Sequence, residues 1–217
     1  MPIPRRQSEG GRSFLSGKQD PDFEVPEGVA NRVIQEAKKE HKYGEHEVNK
    51  ETYDFLKAIE AQIGEEEIFD IISRRNIQIE NGGLVTFNCS CNSIAFLPEL
   101  PKGLQELDCF ENAIKSLPEL PAGLKKLNCG NNQIKFLPEL PSSLQILDCR
   151  NTQITSVPEL PAGLRTLYCH DTEIELLPNV PEGLRTLYCD NTSLSRNPEE
   201  NEKLKQYCKE YNIKLRI

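Results

Sequence analysis

The chain has 217 residues, a net charge of -8 and charged side chains at 28% of its positions. An acidic chain lacks the basic footprint with which proteins neutralise nucleic-acid phosphates, so we expect no nucleic acid partner. The longest apolar runs, such as residues 68 to 72, contain a charge and are too short to span a bilayer, so no membrane partner is expected. The N-terminus, MPIPRRQSEGG, has no apolar core behind its arginines, which is unlike a Sec signal peptide and favours a cytoplasmic location.

The N-terminal third predicts a tail followed by helices. Residues 1 to 27 mix Pro, Gly, Ser and charge without apolar periodicity, which predicts a disordered tail. Residues 28 to 76 have helical apolar spacing and predict a helical N-terminal cap, with Asn49 as an N-cap and Gly64 as a stop signal. The three helices are expected at residues 29 to 44, 49 to 64 and 65 to 75.

The segment from residue 76 to residue 88 has two interpretations. Asn81 and Gly82 form a strong hairpin signal. Yet Ile77 and Leu84 also share a repeat register with Leu97 and Leu104. We favour the second interpretation, a degenerate first repeat.

A repeat of twenty residues then dominates the chain. One copy reads LQELDCFENAIKSLPELP, and it returns as LKKLNCGNNQIKFLPELP, LQILDCRNTQITSVPELP and LRTLYCHDTEIELLPNVP. A fixed period of this length is typical of leucine-rich repeats, in which each copy buries its apolar face against its neighbours. We therefore predict an α+β repeat fold: a leucine-rich repeat solenoid of about six rungs over residues 77–196, with a parallel sheet on its concave face.

Six cysteines occupy a single repeat position. They are Cys89, Cys109, Cys129, Cys149, Cys169 and Cys189. Their alternation with polar neighbours points them into the core, where a thiol acts as a small buried hydrophobe. Disulfide frameworks and zinc sites place cysteines differently, so we expect reduced thiols, no metal and no cofactor.

Each rung is predicted to contain a strand, a polar turn and an extended return. The strand is centred on the LxC segment, with Leu107 and Cys109 facing inward. The turn carries Asn in the early rungs and Thr in the later ones, and an inward Asn can bond the backbone groups that the turn leaves unpaired. The LPELP segment holds two prolines, which excludes a regular helix and favours polyproline II geometry. Because a Thr side chain bonds fewer groups than an Asn side chain, we expect the backbone groups at the turns of the later rungs to have different hydrogen-bond partners.

The C-terminal segment, residues 197–217, predicts a helix-strand cap. Asn197 suits an N-cap and Pro198 the first helical position. Leu204 and Cys208 lie on one apolar helical face, and the segment from Ile213 to the C-terminus alternates like a strand.

The pattern LPxLPxxLxxLxCxxNxI resembles the short repeats of secreted bacterial effectors of the YopM and IpaH type. The resemblance covers residues 84–196, about half of the chain, with Cys in place of the usual strand Val or Ala. It implies a recognition module, and it implies an effector in virulence that is secreted into a host cell and acts in the host cytosol. IpaH-type relatives add a ubiquitin-ligase domain after the repeats. This chain ends about twenty residues beyond its last rung, so that activity is not implied.

Solenoids usually bind partners on the concave sheet, so the outward strand positions are the predicted site. Tyr and Arg are frequent binding hot spots, and these residue types concentrate in the second half of the array. The predicted partner-binding residues are Phe110, Ile146, Asp148, Arg150, Tyr168, His170, Tyr188 and Asp190. An alternative is that Tyr168 and Tyr188 only stack on each other as a solvated pair.

These patterns predict a monomeric, non-catalytic protein-protein interaction module. The first alternative is the substrate-recognition part of a ubiquitin-ligase effector. The second is an enzyme or metal site on the concave strip around His170 and Asp190, with Asp148 and Asp171 nearby. No nucleophile paired with a base and no phosphate-binding loop supports the enzyme interpretation.

Overall fold

The computed structural model describes residues 42–43, 46–73 and 76–217, which form a solenoid of stacked rungs between two caps. One parallel strand marks each of six rungs, which are numbered in chain order from the N-terminal end. The strands are β4 (Gly83–Asn88), β5 (Glu106–Asp108), β6 (Lys126–Asn128), β7 (Ile146–Asp148), β8 (Thr166–Tyr168) and β9 (Thr186–Tyr188). Leu107 pairs with Leu127, which pairs with Leu147, so the rungs stack in a register of twenty residues. The predicted leucine-rich repeat solenoid is confirmed.

The described residues of the N-terminal cap form the helices α1 (Lys50–Ile63) and α2 (Glu65–Ser73). Asn49 caps α1 by accepting a 2.8 Å hydrogen bond from the Thr52 backbone N–H, and Gly64 ends it at a φ of 98°. The Phe55 ring of α1 meets Phe87 of β4 edge to face, with centroids 5.0 Å apart. This contact covers the apolar end of the first rung.

Two predictions for the N-terminal region fall wholly or mostly outside the described residues. The first is the helix at 29–44, whose last residues are described and are not helical. There β1 (Lys42–Tyr43) pairs antiparallel with β2 (His46–Glu47), and extended strand backbone is incompatible with helical dihedrals. The predicted tail at 1–27 also lies outside the described residues.

The segment before the first rung is a hairpin, so the favoured degenerate repeat is wrong for residues 77–82. Strand β3 (Ile77–Glu80) pairs antiparallel with β4 through a turn in which Asn81 and Gly82 have φ values of 50° and 77°. Asn and Gly are the residues that tolerate this left-handed turn. The repeat register holds only from Leu84 onward.

The core follows the repeated apolar positions. All six repeat-position thiols are fully buried, with 0% exposure, which confirms their inward placement. Burial raises the pKa of these thiols, to about 12 for Cys109 and Cys189. All eight cysteines of the chain lie within the described residues and are free; Cys91 is the exposed one.

The polar turn position forms two kinds of ladder. Asn132 donates to the carbonyls of Cys109, Cys129 and Gly130 and accepts from the Ile114 N–H, so it joins two rungs. Thr152 instead donates one 2.7 Å bond, to the Cys149 carbonyl of its own rung. Thr152 therefore keeps the carbonyl of its own rung, which Asn132 also bonds in its rung; within the described residues it has fewer partners than Asn132, not the different ones that the sequence predicted.

The residue before each ladder position is left-handed, with φ between 53° and 63°. These residues are Cys91, Glu111, Asn131, Asn151, Asp171 and Asn191. Asn and Asp tolerate this conformation better than other non-glycine residues, which accounts for four of the six. The tight turn lets the chain leave the sheet within three residues.

The C-terminal cap begins with α3 (Ser193–Arg196) and continues as α4 (Pro198–Glu210) and β10 (Lys214–Arg216). Asn197 caps α4 as predicted, accepting from the backbone N–H groups of the first turn. Strand β10 pairs parallel with β9 and so extends the concave sheet by one strand. Among the described residues, no helix combines the length and apolar character needed to cross a membrane.

Candidate functional site

The concave face is built from the strand residues whose side chains point away from the core. Because the strands pair in the same register, each outward position forms a column that runs along the solenoid. The eight predicted site residues fall in three such columns. The first is the Ile146 column, the second contains Asp148, Tyr168 and Tyr188, and the third contains Phe110, Arg150, His170 and Asp190.

Two tyrosines meet at the C-terminal half of this face. The rings of Tyr168 and Tyr188 lie edge to face, with centroids 5.2 Å apart. The ammonium of Lys214 and the guanidinium of Arg216 lie 5.4 and 5.9 Å from the Tyr188 ring centroid. We call these four residues the tyrosine patch. It combines aromatic area with two cations, a composition typical of binding surfaces.

Lys214 and Arg216 are absent from the sequence prediction. The alternation around Leu215 indicates a strand, but which side chains face the concave surface depends on its partner. Parallel pairing with β9 places Arg216 opposite Tyr188. Arg216 Nε also lies 3.2 Å from Asp190 Oδ1, which joins the cap to the predicted site by an ion pair.

Phe110 and Arg150 lie two rungs apart and yet contact each other. The Arg150 guanidinium lies 5.1 Å from the Phe110 ring centroid. It reaches over Gly130, where an added Cβ would lie 3.1 Å from Arg150 Cγ and 3.0 Å from its carbonyl oxygen. The glycine therefore leaves the room that this cation–π contact needs.

The prediction that Asp148 is an accessible contact residue is wrong, because this residue is only 7% exposed. Its carboxylate accepts a hydrogen bond from the Arg150 backbone N–H at 3.2 Å and lies 3.5 Å from Arg150 Nε. Burial raises the pKa of Asp148, and the neighbouring Arg150 opposes that rise. Asp148 thus holds the turn and Arg150 in place rather than offering a free carboxylate.

His170 is also largely covered, with 15% of its side chain exposed. Its Nε2 lies 3.9 Å from an Asp171 carboxylate oxygen, and its buried Nδ1 makes no hydrogen bond within the described part of the chain. Over the same residues, no three His, Cys, Asp or Glu side chains converge in a way that could hold a metal ion. The strip around His170 and Asp190 therefore lacks the ligand geometry that its metal interpretation needs.

A hollow of about 280 Å³ adjoins the tyrosine patch on the concave face. Its wall includes Ile146 and Tyr168 at one side and the exposed ion pair of Glu106 and Lys126, 2.7 Å apart, at the other. The hollow places apolar and charged groups side by side.

Comparison with known proteins agrees with this architecture. The family model described as leucine-rich repeats (2 copies) matches residues 102–142 and 122–162. The rungs over residues 102–162 are leucine-rich repeats. None of the curated proteins resembles this sequence at a significant level.

Two solved structures show the likeness of the repeats to bacterial proteins. YopM from Yersinia enterocolitica WA-314 is 33% identical, with a TM-score of 0.50, and the match covers 53% of this chain and 25% of that one. A Shigella effector LRR domain is 24% identical, with a TM-score of 0.50, over 77% of this chain and 67% of that one. The chain thus spans a quarter of the YopM chain and two thirds of the Shigella domain. Its repeats are similar in fold to those of both structures.

Proposed function

We propose that this chain is a non-catalytic protein-recognition module whose concave face binds a protein through the tyrosine patch. The observation that carries the proposal is the cluster of Tyr168, Tyr188, Lys214 and Arg216 on the open face of a parallel sheet. Rigid aromatic side chains bury large areas at low entropic cost, which is why they dominate binding hot spots.

The chemistry of the patch favours a partner segment with both apolar and acidic side chains. Lys214 has no carboxylate partner among the ion pairs of the described residues, whereas Arg216 is paired with Asp190. The adjoining hollow accepts an apolar side chain beside Ile146, while Lys214 meets a carboxylate. An extended segment can reach both because adjacent rungs lie about 5 Å apart.

The test is quantitative binding by variants of the full chain. The wild-type protein, immobilised, is used to capture partners from host lysate, and the captured protein is then titrated against each variant. Replacing Tyr168 and Tyr188 together with Ala should weaken binding about 30-fold or more, the loss typical of a hot spot. The Tyr168→Phe, Tyr188→Phe double variant separates loss of the rings from loss of the hydroxyls.

A matched control lies on α1, at the other end of the solenoid. Replacing Lys50 and Asp54 together with Ala removes an exposed ion pair of zero net charge and should change affinity less than threefold. Thermal unfolding of every variant verifies the fold. Equal affinity of the wild type and the tyrosine double variant would rule out the patch as the binding site.

We also propose that the chain acts as a bacterial effector inside a host cell. The support is the 33% identity of its repeats to YopM over about half of this chain. The test is infection with bacteria that express the chain fused to a reporter active only in host cytosol. Reporter signal above that of a cytosolic bacterial control protein is expected, and its absence during productive infection would contradict delivery.

A further inference from the structure

Large apolar side chains alternate with serine along the convex side of the solenoid. Phe96, Phe136 and Leu176 occupy one repeat position and are 56%, 70% and 60% exposed. The rungs between them carry Ser116 and Ser156, also exposed. We call these five residues the convex ridge.

The rungs are stacked closely where the ridge lies. The backbone N–H of Gln133 donates to the Ile114 carbonyl at 2.9 Å, and that of Gln153 to the Ile134 carbonyl at 3.0 Å. Two rungs therefore separate successive apolar residues by about 10 Å. The gap over each serine has room for one side chain from another surface.

We infer that the convex ridge is the interface of a symmetric dimer, in which the second copy runs antiparallel and its apolar residues face the serines of the first. This departs from the monomer that the sequence predicts, and it does not depend on the proposed function. A two-fold interface is formed by the same surface of both copies. In an antiparallel dimer, rung i of one copy therefore faces rung j of the other, and the sum n = i + j is the same for every facing pair.

Shape limits n to odd values. An even sum places apolar residues on apolar residues and leaves the gaps over the serines unfilled; a sum of six, for example, puts Phe136 on Phe136 of the second copy and Ser116 on Ser156. A parallel dimer, in which each rung faces its own copy, has the same fault. With an odd sum every apolar residue faces a smaller or polar one, as dense packing requires.

Charge then selects one of the two central registers. The exposed residues beside the ridge include Lys115, Lys135, Thr155 and Glu175, in rungs 2 to 5. A sum of five would place Lys115 against Lys135 of the second copy twice. A sum of seven places Lys115 against Glu175 and Lys135 against Thr155, twice each. The two-fold axis therefore lies between rungs 3 and 4.

This register pairs Phe136 with Ser156 and Leu176 with Ser116 across the axis. At its ends Phe96 faces Arg196, the exposed residue of the sixth rung, in a cation–π arrangement. The exposed glutamates of the LPELP segments lie about 10 Å further along each rung, at the margin, where solvent screens them.

The size of the surface sets the expected strength. Six rungs give a strip about 24 Å long, so the buried area is smaller than that of a standard interface and the dimer should be weak. We expect a dissociation constant on the order of 10–100 µM. Sedimentation equilibrium of the full chain from 5 to 500 µM should therefore show a reversible monomer-dimer transition.

Charge reversal tests the register. Lys115→Glu or Glu175→Lys alone creates two like-charge contacts per dimer and should raise the dissociation constant about tenfold. Within one copy these residues lie three rungs apart, so the double reversal Lys115→Glu, Glu175→Lys should restore wild-type affinity only through the second copy. Lys125→Glu, the same charge change at the other edge of the rungs, is the control and should have no effect.

Phe136→Ser should abolish the dimer while leaving the unfolding midpoint unchanged, because the side chain is exposed. A wild-type protein that remains monomeric at 500 µM would overturn the inference. So would a dimer that persists with Phe136→Ser, or one that the double charge reversal fails to restore.

Discussion

Replacement of Asn132 by Ala should cost far more stability than replacement of Thr152, its counterpart in the next rung. Asn132 is 7% exposed, and its amide donates to the carbonyls of Cys109, Cys129 and Gly130 over 2.9 to 3.1 Å. Its carbonyl accepts from the Ile114 N–H at 3.0 Å. Alanine would leave all four backbone groups without these partners inside the solenoid.

The expected losses follow from the number of hydrogen bonds. A buried hydrogen bond contributes about 1 kcal/mol, and an orphaned backbone N–H costs about 1–3 kcal/mol, so Asn132→Ala should lower the free energy of unfolding by about 3–5 kcal/mol. Thr152→Ala removes one bond, to the Cys149 carbonyl, and should cost about 1–2 kcal/mol. The difference between the two variants is therefore about 1–4 kcal/mol.

Urea titration followed by far-UV circular dichroism measures both free energies. Asn132→Thr is an informative third variant, since its hydroxyl can form the single bond within the rung that Thr152 forms, and its stability should lie between those of the other two. Thr172→Ala, one rung further, should repeat the Thr152→Ala result. Equal destabilisation by Asn132→Ala and Thr152→Ala would refute the view that Asn joins neighbouring rungs and Thr does not.

Two further predictions concern the buried thiols. Cys129→Asp should unfold the array, because it places an unpaired charge at a fully buried position. Cys91→Asp, at the exposed cysteine, should leave the circular dichroism melting curve unchanged. A normal melting curve for Cys129→Asp would contradict the inward placement of the thiols. Because burial raises the pKa of Cys109 to about 12, its contribution to stability is full below the ordinary thiol pKa of about 9 and is lost as pH rises toward 12. Urea midpoints should therefore fall between pH 8 and pH 10.5, and a Cys109→Ala variant should show a shallower decline; an identical decline would argue against this linkage.

The twenty-residue period was sufficient to predict the solenoid, the inward thiols and the strand in each rung. A repeated apolar pattern has one way to bury its faces, by stacking each copy on the next, so periodicity determines both the register and the core. The caps of α1 and α4 were equally readable, because Asn49, Gly64 and Asn197 act through backbone groups within three or four residues of themselves.

The local conformation at residues 77–82 could be read two ways from the sequence. Asn81 and Gly82 favour a turn, while the spacing of Ile77 favours a repeat, and these signals have comparable weight. The structure contains the turn, and β3 pairs antiparallel with the edge of β4 that no other rung covers.

The composition of the concave site was decided by tertiary structure. Column positions placed Tyr168 and Tyr188 side by side, as spacing alone predicts. Arg150 covers Asp148 and extends over Gly130 because its side chain is long. Lys214 and Arg216 join the site because β10 pairs with β9. The repeat period specifies which backbone positions face the concave surface. Contacts with side chains on neighbouring strands determine where the charged groups of long side chains lie.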